Sequence, residues 1–345
     1  MLFPHLLMGV IKRGAALMLA PLLLSAALAG PSRADEAPPV KLGYSKCAHC
    51  TPLSLTPRYA TGVKIDAISF NTGNDVLTAL LSKSIDVAQV TYLHYATALD
   101  KGFAIVGISG QINGGSQILI GNSLPVAAGD WAGLKNLIEE YKKQGKPFRV
   151  AASRGNAQDL HMRGAFAAHG IDVNKDVRFI NIPNPSDHVQ ALRRGEVELI
   201  CSVDPFATQI REVKAAKFFA FPYDQAAGKL TNLIVTRPDV IASNRRGVLE
   251  TVRAIVKVND LMAADQPLFI DTIQKVTGLD KTIAAGAVQN LYPDYKMYRA
   301  SAAAIAAMMR QLKYINGDVT AAVEKNLDYS FLEEVTGKPK TELGY

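Results

Sequence analysis

From Val40 to Val203, short apolar runs alternate with segments of helical spacing, and this alternation leaves few folds open. The runs are Val40–Tyr44, Ile65–Phe70, Ile85–Val90, Phe103–Ser109 and Ser116–Gly121, then Phe148–Ala152, Val177–Ile182 and Val197–Val203. Strands separated by helices in this way imply mostly parallel sheets covered on both faces. Helices are predicted at Asp75–Leu81 with Asn74 as cap, at Tyr92–Lys101 behind Thr91, and at Asp130–Gln144, Ala157–His169 and Asp187–Arg194. The series comes in two rounds that echo each other. Asn74 to Val90 reads NDVLTALLSKSIDVAQV, and Ser186 to Val203 reads SDHVQALRRGEVELICSV. Each is a cap, a helix with an Ala-Leu pair, a turn, an acidic residue and a strand, as expected of two similar α/β lobes facing each other.

After Asp204 the pattern reads as helical through Ala226. Leu230–Thr236 is a strand expected to return to the first lobe. Ala-rich helices at Gly247–Ala264, Leu268–Thr277, Lys281–Leu291, Ser301–Ile315 and Val319–Lys325 are expected to pack on that lobe, with the tail Gly337–Tyr345 exposed. The expected division is therefore 35–120 with 218–345 in the first lobe and 121–217 in the second.

Residues 1–34 stand outside this pattern. Lys12 and Arg13 precede the apolar run Gly14–Leu28, and Ala27-Leu28-Ala29 and Ser32-Arg33-Ala34 offer small-residue cleavage sites. This is the layout of a cleavable export signal, and the run is too short for a membrane anchor. Cleavage after Ala34 removes three cations and no acid, taking the formal charge from +7 to +4. That modest excess, without a Lys/Arg block or an aromatic-basic stripe, gives no footprint for nucleic acid. The expectation is a periplasmic monomer without a cofactor. An oxidising compartment permits disulfides, and the three cysteines leave one over if Cys47 and Cys50 pair.

At Lys41–Tyr44 (KLGY), Asn74–Gln89, Arg149–Arg154 (RVAASR) and Arg193–Pro205 (RRGEVELICSVDP) the chain resembles the periplasmic solute-binding components of ABC importers of the nitrate/sulfonate/taurine type, which also include thiamine-precursor binders. The likeness extends over about residues 38–265. It implies a type II periplasmic-binding-protein fold, α/β and two-lobed, that closes on a solute and docks on a membrane permease. It places the ligand at the loops after successive strands. Here those loops carry Tyr44, Ser45, Lys46, Cys47, His49 and Cys50, then Asn71, Thr72 and Asn74, then Thr91 and Tyr92, with Asn113 in the glycine-rich break. The second lobe supplies Ser153, Arg154, Asn156, Asn184 and Asp204.

The residues themselves carry several chemistries. Cys47-Ala48-His49-Cys50 could be a disulfide across a tight loop, a soft-metal site, a redox pair, or free thiols in a pocket. Arg154 at a helix start could clamp a carboxylate, sulfonate or phosphate, and Asp204 could face a cationic group or hold a hinge. Together they suggest a small anionic or zwitterionic organic solute. The alternatives are a metal or metal-chelate binder using Cys47, His49 and Cys50, and an enzyme on the same scaffold acting on a heterocycle or thiol. No GxSxG, GxxxxGK[ST] or dinucleotide glycine pattern supports catalysis, so binding is the expected activity.

Overall fold

A computed structural model describes residues 36–345; the expected export signal lies outside them. Among the described residues, twelve strands run in chain order: β1 (Ala37–Ser45), β2 (Val63–Phe70), β3 (Val87–Thr91), β4 (Val106–Gly110), β5 (Asn113–Gly114), β6 (Ser116–Ile120), β7 (Arg149–Ala152), β8 (Arg178–Asn181), β9 (Leu199–Val203), β10 (Lys217–Ala220), β11 (Asn232–Thr236) and β12 (Leu291–Tyr292). The helices of the two lobes are α1 (Thr56–Tyr59), α2 (Gly73–Leu81), α3 (Tyr92–Asp100), α4 (Trp131–Lys143), α5 (Ala157–Ala168), α6 (His188–Arg193) and α7 (Phe206–Glu212). The C-terminal region adds α8 (Pro238–Ala264), α9 (Gln266–Thr277), α10 (Lys281–Val288), α11 (Arg299–Gln311), α12 (Thr320–Lys325) and α13 (Ser330–Thr336).

Two five-stranded sheets repeat one plan. In the first, ordered β2-β1-β3-β11-β4, β1 lies parallel to β2 and β3, and β11 is antiparallel to β3 and β4. In the second, ordered β10-β6-β9-β7-β8, β7 lies parallel to β8 and β9, and β6 is antiparallel to β9 and β10. The two echoing sequences occupy matching places, as α2 with β3 and α6 with β9. The antiparallel strand of each sheet comes from a crossing: β6 enters the second lobe and β11 returns to the first.

Each sheet is therefore mixed, with four strands pointing one way and one, β11 or β6, against them. The pairings also put β6 and β10 in the second sheet, whereas the expected division assigned β6, and all of β10 but Lys217, to the first lobe. The chain crosses at 111–115 and at 221–231. The expected helix through Ala226 ends at Glu212, and Lys217–Ala220 runs instead as an edge strand. Phe219 is its one fully buried residue, the inward side of a strand whose neighbours face outward.

Burial explains the β11 crossing. Leu233, Ile234 and Val235 are fully buried between β3 and β4. Each such side chain contributes about 1.5–3 kcal/mol relative to exposure. In β6, Ile118 and Ile120 feed one core of the second lobe and Leu119 the other, the alternation a two-sided sheet demands. Most C-terminal helices cover the first lobe as expected, but α10 reaches the second: a Cβ on Gly286 would lie 2.7 Å from Thr208 Cγ2 of α7. The tail is not free. Leu343 is buried, its carbonyl accepts from Met297 N–H (3.1 Å), and Gly344 O accepts from Arg299 N–H (2.7 Å). No helix of the described residues is long and apolar enough to cross a membrane.

Candidate functional site

A narrow cavity of about 40 Å³ lies where the carboxyl ends of β1, β2 and β3 meet those of β7, β8 and β9. Strand ends at a sheet edge are where open α/β folds hold ligands. The first lobe contributes Ser45, Lys46, Cys47 and His49, then Asn71, Thr72 and Gly73, then Gln89 and Thr91. The second contributes Ser153, Asn156, Ala157 and Gln158, with Pro183, Pro185, Val203 and Phe206.

The loop after β1 is a closed knot. Cys47 and Cys50 are joined by a disulfide, and Cys47 O accepts from the N–H groups of Cys50 (2.8 Å) and Thr51 (3.0 Å). Pro52 then sits in the first turn of a short 3-10 helix, Thr51–Leu55, where its missing N–H costs nothing. Ser45 Oγ lies 3.5 Å from Cys47 Sγ and 3.3 Å from Cys50 Sγ. Gln89 Oε1 accepts from Ser45 N–H (3.3 Å), while its Nε2 donates to Asn232 Oδ1 (2.7 Å), which fixes the amide's orientation.

Cys47, His49 and Cys50 offer ligand atoms within 4.8 Å of one another. With the sulfurs bonded to each other, neither thiolate is free for a metal or for nucleophilic attack, which removes the chemistry the metal and enzyme alternatives require. Cys201 is a buried free thiol in the second-lobe core, its pKa pushed up by burial.

The charge balance is one-sided. Lys46, half-buried, is the cation of the lining, and no carboxylate among the described residues lines it. Burial, reinforced by His161, lowers His49 to about 3, so its imidazole is neutral at pH 7. Its Nδ1 has no hydrogen-bond partner among the described residues. Helix α5 starts at the cavity, and its N-cap Asn156 makes no side-chain cap bond. The first N–H groups of a helix have no intrahelical acceptor and carry the positive end of its dipole. Asp159, in the same turn, points instead to Arg163 Nε (2.9 Å) and Gly155 N–H (3.1 Å).

Of the residues expected at a ligand, Ser45, Lys46, Cys47, His49, Asn71, Thr72, Thr91, Ser153 and Asn156 meet at this cavity. Cys50 lies beneath it through the disulfide. The others are elsewhere. Tyr44 and Tyr92 are buried in the first-lobe core, the latter with its hydroxyl unpaired among the described residues. Asn74 is not the cap of α2: Thr72 and Asp75 form a capping box there, and Asn74 bonds His94 and Arg154 instead. Arg154 is exposed and outside the lining of this cavity, with its guanidinium 4.9 Å from the centre of the Phe179 ring. Asn184 is exposed.

Asn113 and Asp204 hold the crossings. Asn113 Oδ1 accepts from the N–H groups of Thr231 (2.9 Å) and Asn232 (3.2 Å), tying one crossing to the other. Asp204 is fully buried and accepts from Gln117 Nε2 (2.9 and 2.8 Å), Thr208 N (3.1 Å), Thr208 Oγ1 (2.7 Å) and Asn290 Nδ2 (3.1 Å). Burial raises its pKa against the pull of those donors. Its backbone O accepts from Ala48 N–H (2.8 Å). Gln89 had a sequence signal, a lone amide in an apolar strand; Gln158, Val203 and Phe206 had none.

Three comparisons bear on this arrangement. The nitrate/nitrite binding protein NrtA of Synechococcus elongatus is 24% identical over 149 residues, 43% of this chain and 33% of that protein, so the matched stretch spans a third of that relative's length. The nitrate-binding protein NrtA of Synechocystis PCC 6803 superposes with a TM-score of 0.73 at 16% identity, covering 89% of this chain and 91% of that one. A ligand-binding component of an ABC-type import system from Staphylococcus aureus, solved with zinc bound, also gives 0.73, at 15% identity over 87% of this chain and 99% of that one. At such identities the structures share the two-lobed periplasmic-binding-protein fold. The model of the NMT1-like family matches residues 33–274, most of both lobes, and the chain belongs to that family.

Proposed function

We propose that the protein is the exported solute-binding component of an ABC importer, and that its solute is a small oxyanion held in the cavity between the lobes. The observation that carries this is the lining: one cation, one uncapped helix start, hydroxyls and amides, and no carboxylate among the described residues. A zwitterion would bring an ammonium with nothing anionic to meet it, and an unpaired charge in a closed site is costly. Size points the same way. A water needs roughly 10–15 Å³ of such volume, so the closed cavity has room on the order of three waters, the scale of a few-atom ion. The relatives named for nitrate support the class of solute.

In this reading the lobes close on the anion, desolvate it and satisfy its oxygens from both sides, and a permease reads the closed form. The leader-like residues 1–34 support a periplasmic location. Native mass spectrometry of protein purified without refolding tests the reading, followed by calorimetric titration with nitrate, nitrite, taurine and a short alkanesulfonate. A retained or titratable oxyanion supports it; retention of an organic cation, or silence toward every anion, overturns it.

A further inference from the structure

A second cavity, of about 700 Å³, lies behind one wall of the inner one. The wall is thin. Gly73, Ser153 and Asn156 line the inner cavity, while their chain neighbours Asn74, Arg154 and Gly155 line the outer. The wall is also a seam between the lobes, closed by few bonds. Asn74 Nδ2 of the first lobe donates to Arg154 O of the second at 3.3 Å, an exposed bond at the long end of the range. His94 steadies Asn74. Its Nδ1 accepts from Thr91 N–H (3.2 Å), so its Nε2–H donates to Asn74 Oδ1 (3.0 Å).

The outer cavity is cationic. Lys101, Arg154, Arg163 and Lys313 line it, and no carboxylate among the described residues does. Arg163 is paired with Asp159 (2.9 Å). Asp172 lies in the adjoining depression, 3.3 Å from Lys175. A concave surface with an excess of one charge concentrates counter-ions and speeds their arrival.

We infer that the outer cavity is a capture site for small anions, and that it feeds the inner cavity through a gate whose moving part is Asn74. This rests on the reading of the inner cavity as an anion site. The inner cavity is narrow, about 40 Å³, so a solute larger than a few waters enters it only as the lobes part. The crossings are held by the multiply bonded Asn113 and Asp204, and the inner cavity meets that side at His49, which packs on Gly115. The seam at Asn74 is held far more weakly.

The Cys47–Cys50 disulfide, with Cys47 in the inner lining, is a built-in reporter of access that requires no known solute. Its reduction is timed by thiol alkylation and mass spectrometry, with an anionic reductant, tris(2-carboxyethyl)phosphine, and a neutral one, dithiothreitol. In each case two electrons and two protons convert the disulfide to two thiols, giving a phosphine oxide with oxygen from water or a cyclic disulfide. Lys101→Gln combined with Lys313→Gln should slow the phosphine about fivefold at low salt and leave dithiothreitol unchanged. Asn74→Ala should speed both reagents about fivefold, the effect of losing a bond worth roughly 1 kcal/mol. An unchanged phosphine-to-dithiothreitol ratio in the lysine variant, or unchanged rates in Asn74→Ala, overturns the inference. Failure of the anion titrations would instead sink the solute assignment and leave these rates untouched.

Discussion

Gly73 and Asn156 face each other across the closed cleft so closely that a Cβ on Gly73 would lie 2.8 Å from Asn156 Oδ1 and 2.7 Å from His94 Cε1. Gly73 is the first residue of α2 and has no need of a left-handed backbone, so alanine suits its helix. Its methyl nonetheless presses on the buried ring of His94 within the first lobe, so Gly73→Ala should lower stability by about 1–3 kcal/mol. The added methyl should act as a wedge between the lobes. Small-angle scattering should show a larger radius of gyration in the presence of the bound anion, and affinity should fall at least about tenfold, a loss of roughly 1.4 kcal/mol of closure.

Lys46 and Arg154 should separate cleanly in a titration. Lys46→Ala removes the cation of the inner lining, and a charge-assisted hydrogen bond is worth about 1.5–3 kcal/mol, so affinity for the anion found by mass spectrometry should drop about 10- to 100-fold. Arg154 lies outside that cavity. Arg154→Ala should change the equilibrium affinity by less than about threefold, as expected for a screened, exposed charge. Calorimetry on both variants checks the pair, and a larger effect at Arg154 would contradict the placement of the solute.

Much of this was legible beforehand, and the reasons are physical. Periodicity gave both rounds of strands and helices, because buried faces impose a period of two or near 3.6 whatever the ligand. Lys46, Ser153 and Asn156 fell at the cavity because a loop at a strand's carboxyl end is positioned by its strand. Arg154 did not, because one residue's difference in a turn decides which side of a thin wall a side chain faces. Tyr92 looked like a pocket wall, but as the first residue of α3 it turns into the core. The antiparallel pairings of β6 and β10 had no local signature, since an apolar run reads the same in either direction.

Asp204 should be intolerant of its isostere. All its described partners are donors, from Gln117, Thr208 and Asn290. Asp204→Asn turns an amide NH2 toward them, so at least one donor pair meets head-on in a buried site. A loss of about 3 kcal/mol is expected, the range for breaking a buried charged network. Chemical denaturation should show it as a lower midpoint with an unchanged slope.

Stability should fall on mild acidification. Burial lowers His94, His161 and His188 to about 4 and His49 to about 3, all from 6.5. Below pH 6.5 the unfolded chain takes up protons that the folded chain refuses. Stability is therefore lost as pH drops from 6.5 toward 4 and levels off below the folded values, with an upper bound of about 3 kcal/mol for each of His94, His161 and His188 and about 5 kcal/mol for His49. Asp204 opposes this, since its raised pKa favours the protonated fold, but it is one group against four. Thermal melts at pH 7, 5.5 and 4.5 should show a steadily falling midpoint, and a flat profile would contradict the neutral burial of these rings.

The carboxylate of Asp204 gathers its donors from a crossing strand, from the second lobe's own helix and, through Asn290, from the far end of the chain. Parting that end from the second lobe strips the buried carboxylate of the Asn290 donor. A molecule built as two lobes should accordingly melt in a single cooperative step, with calorimetric and van't Hoff enthalpies in agreement.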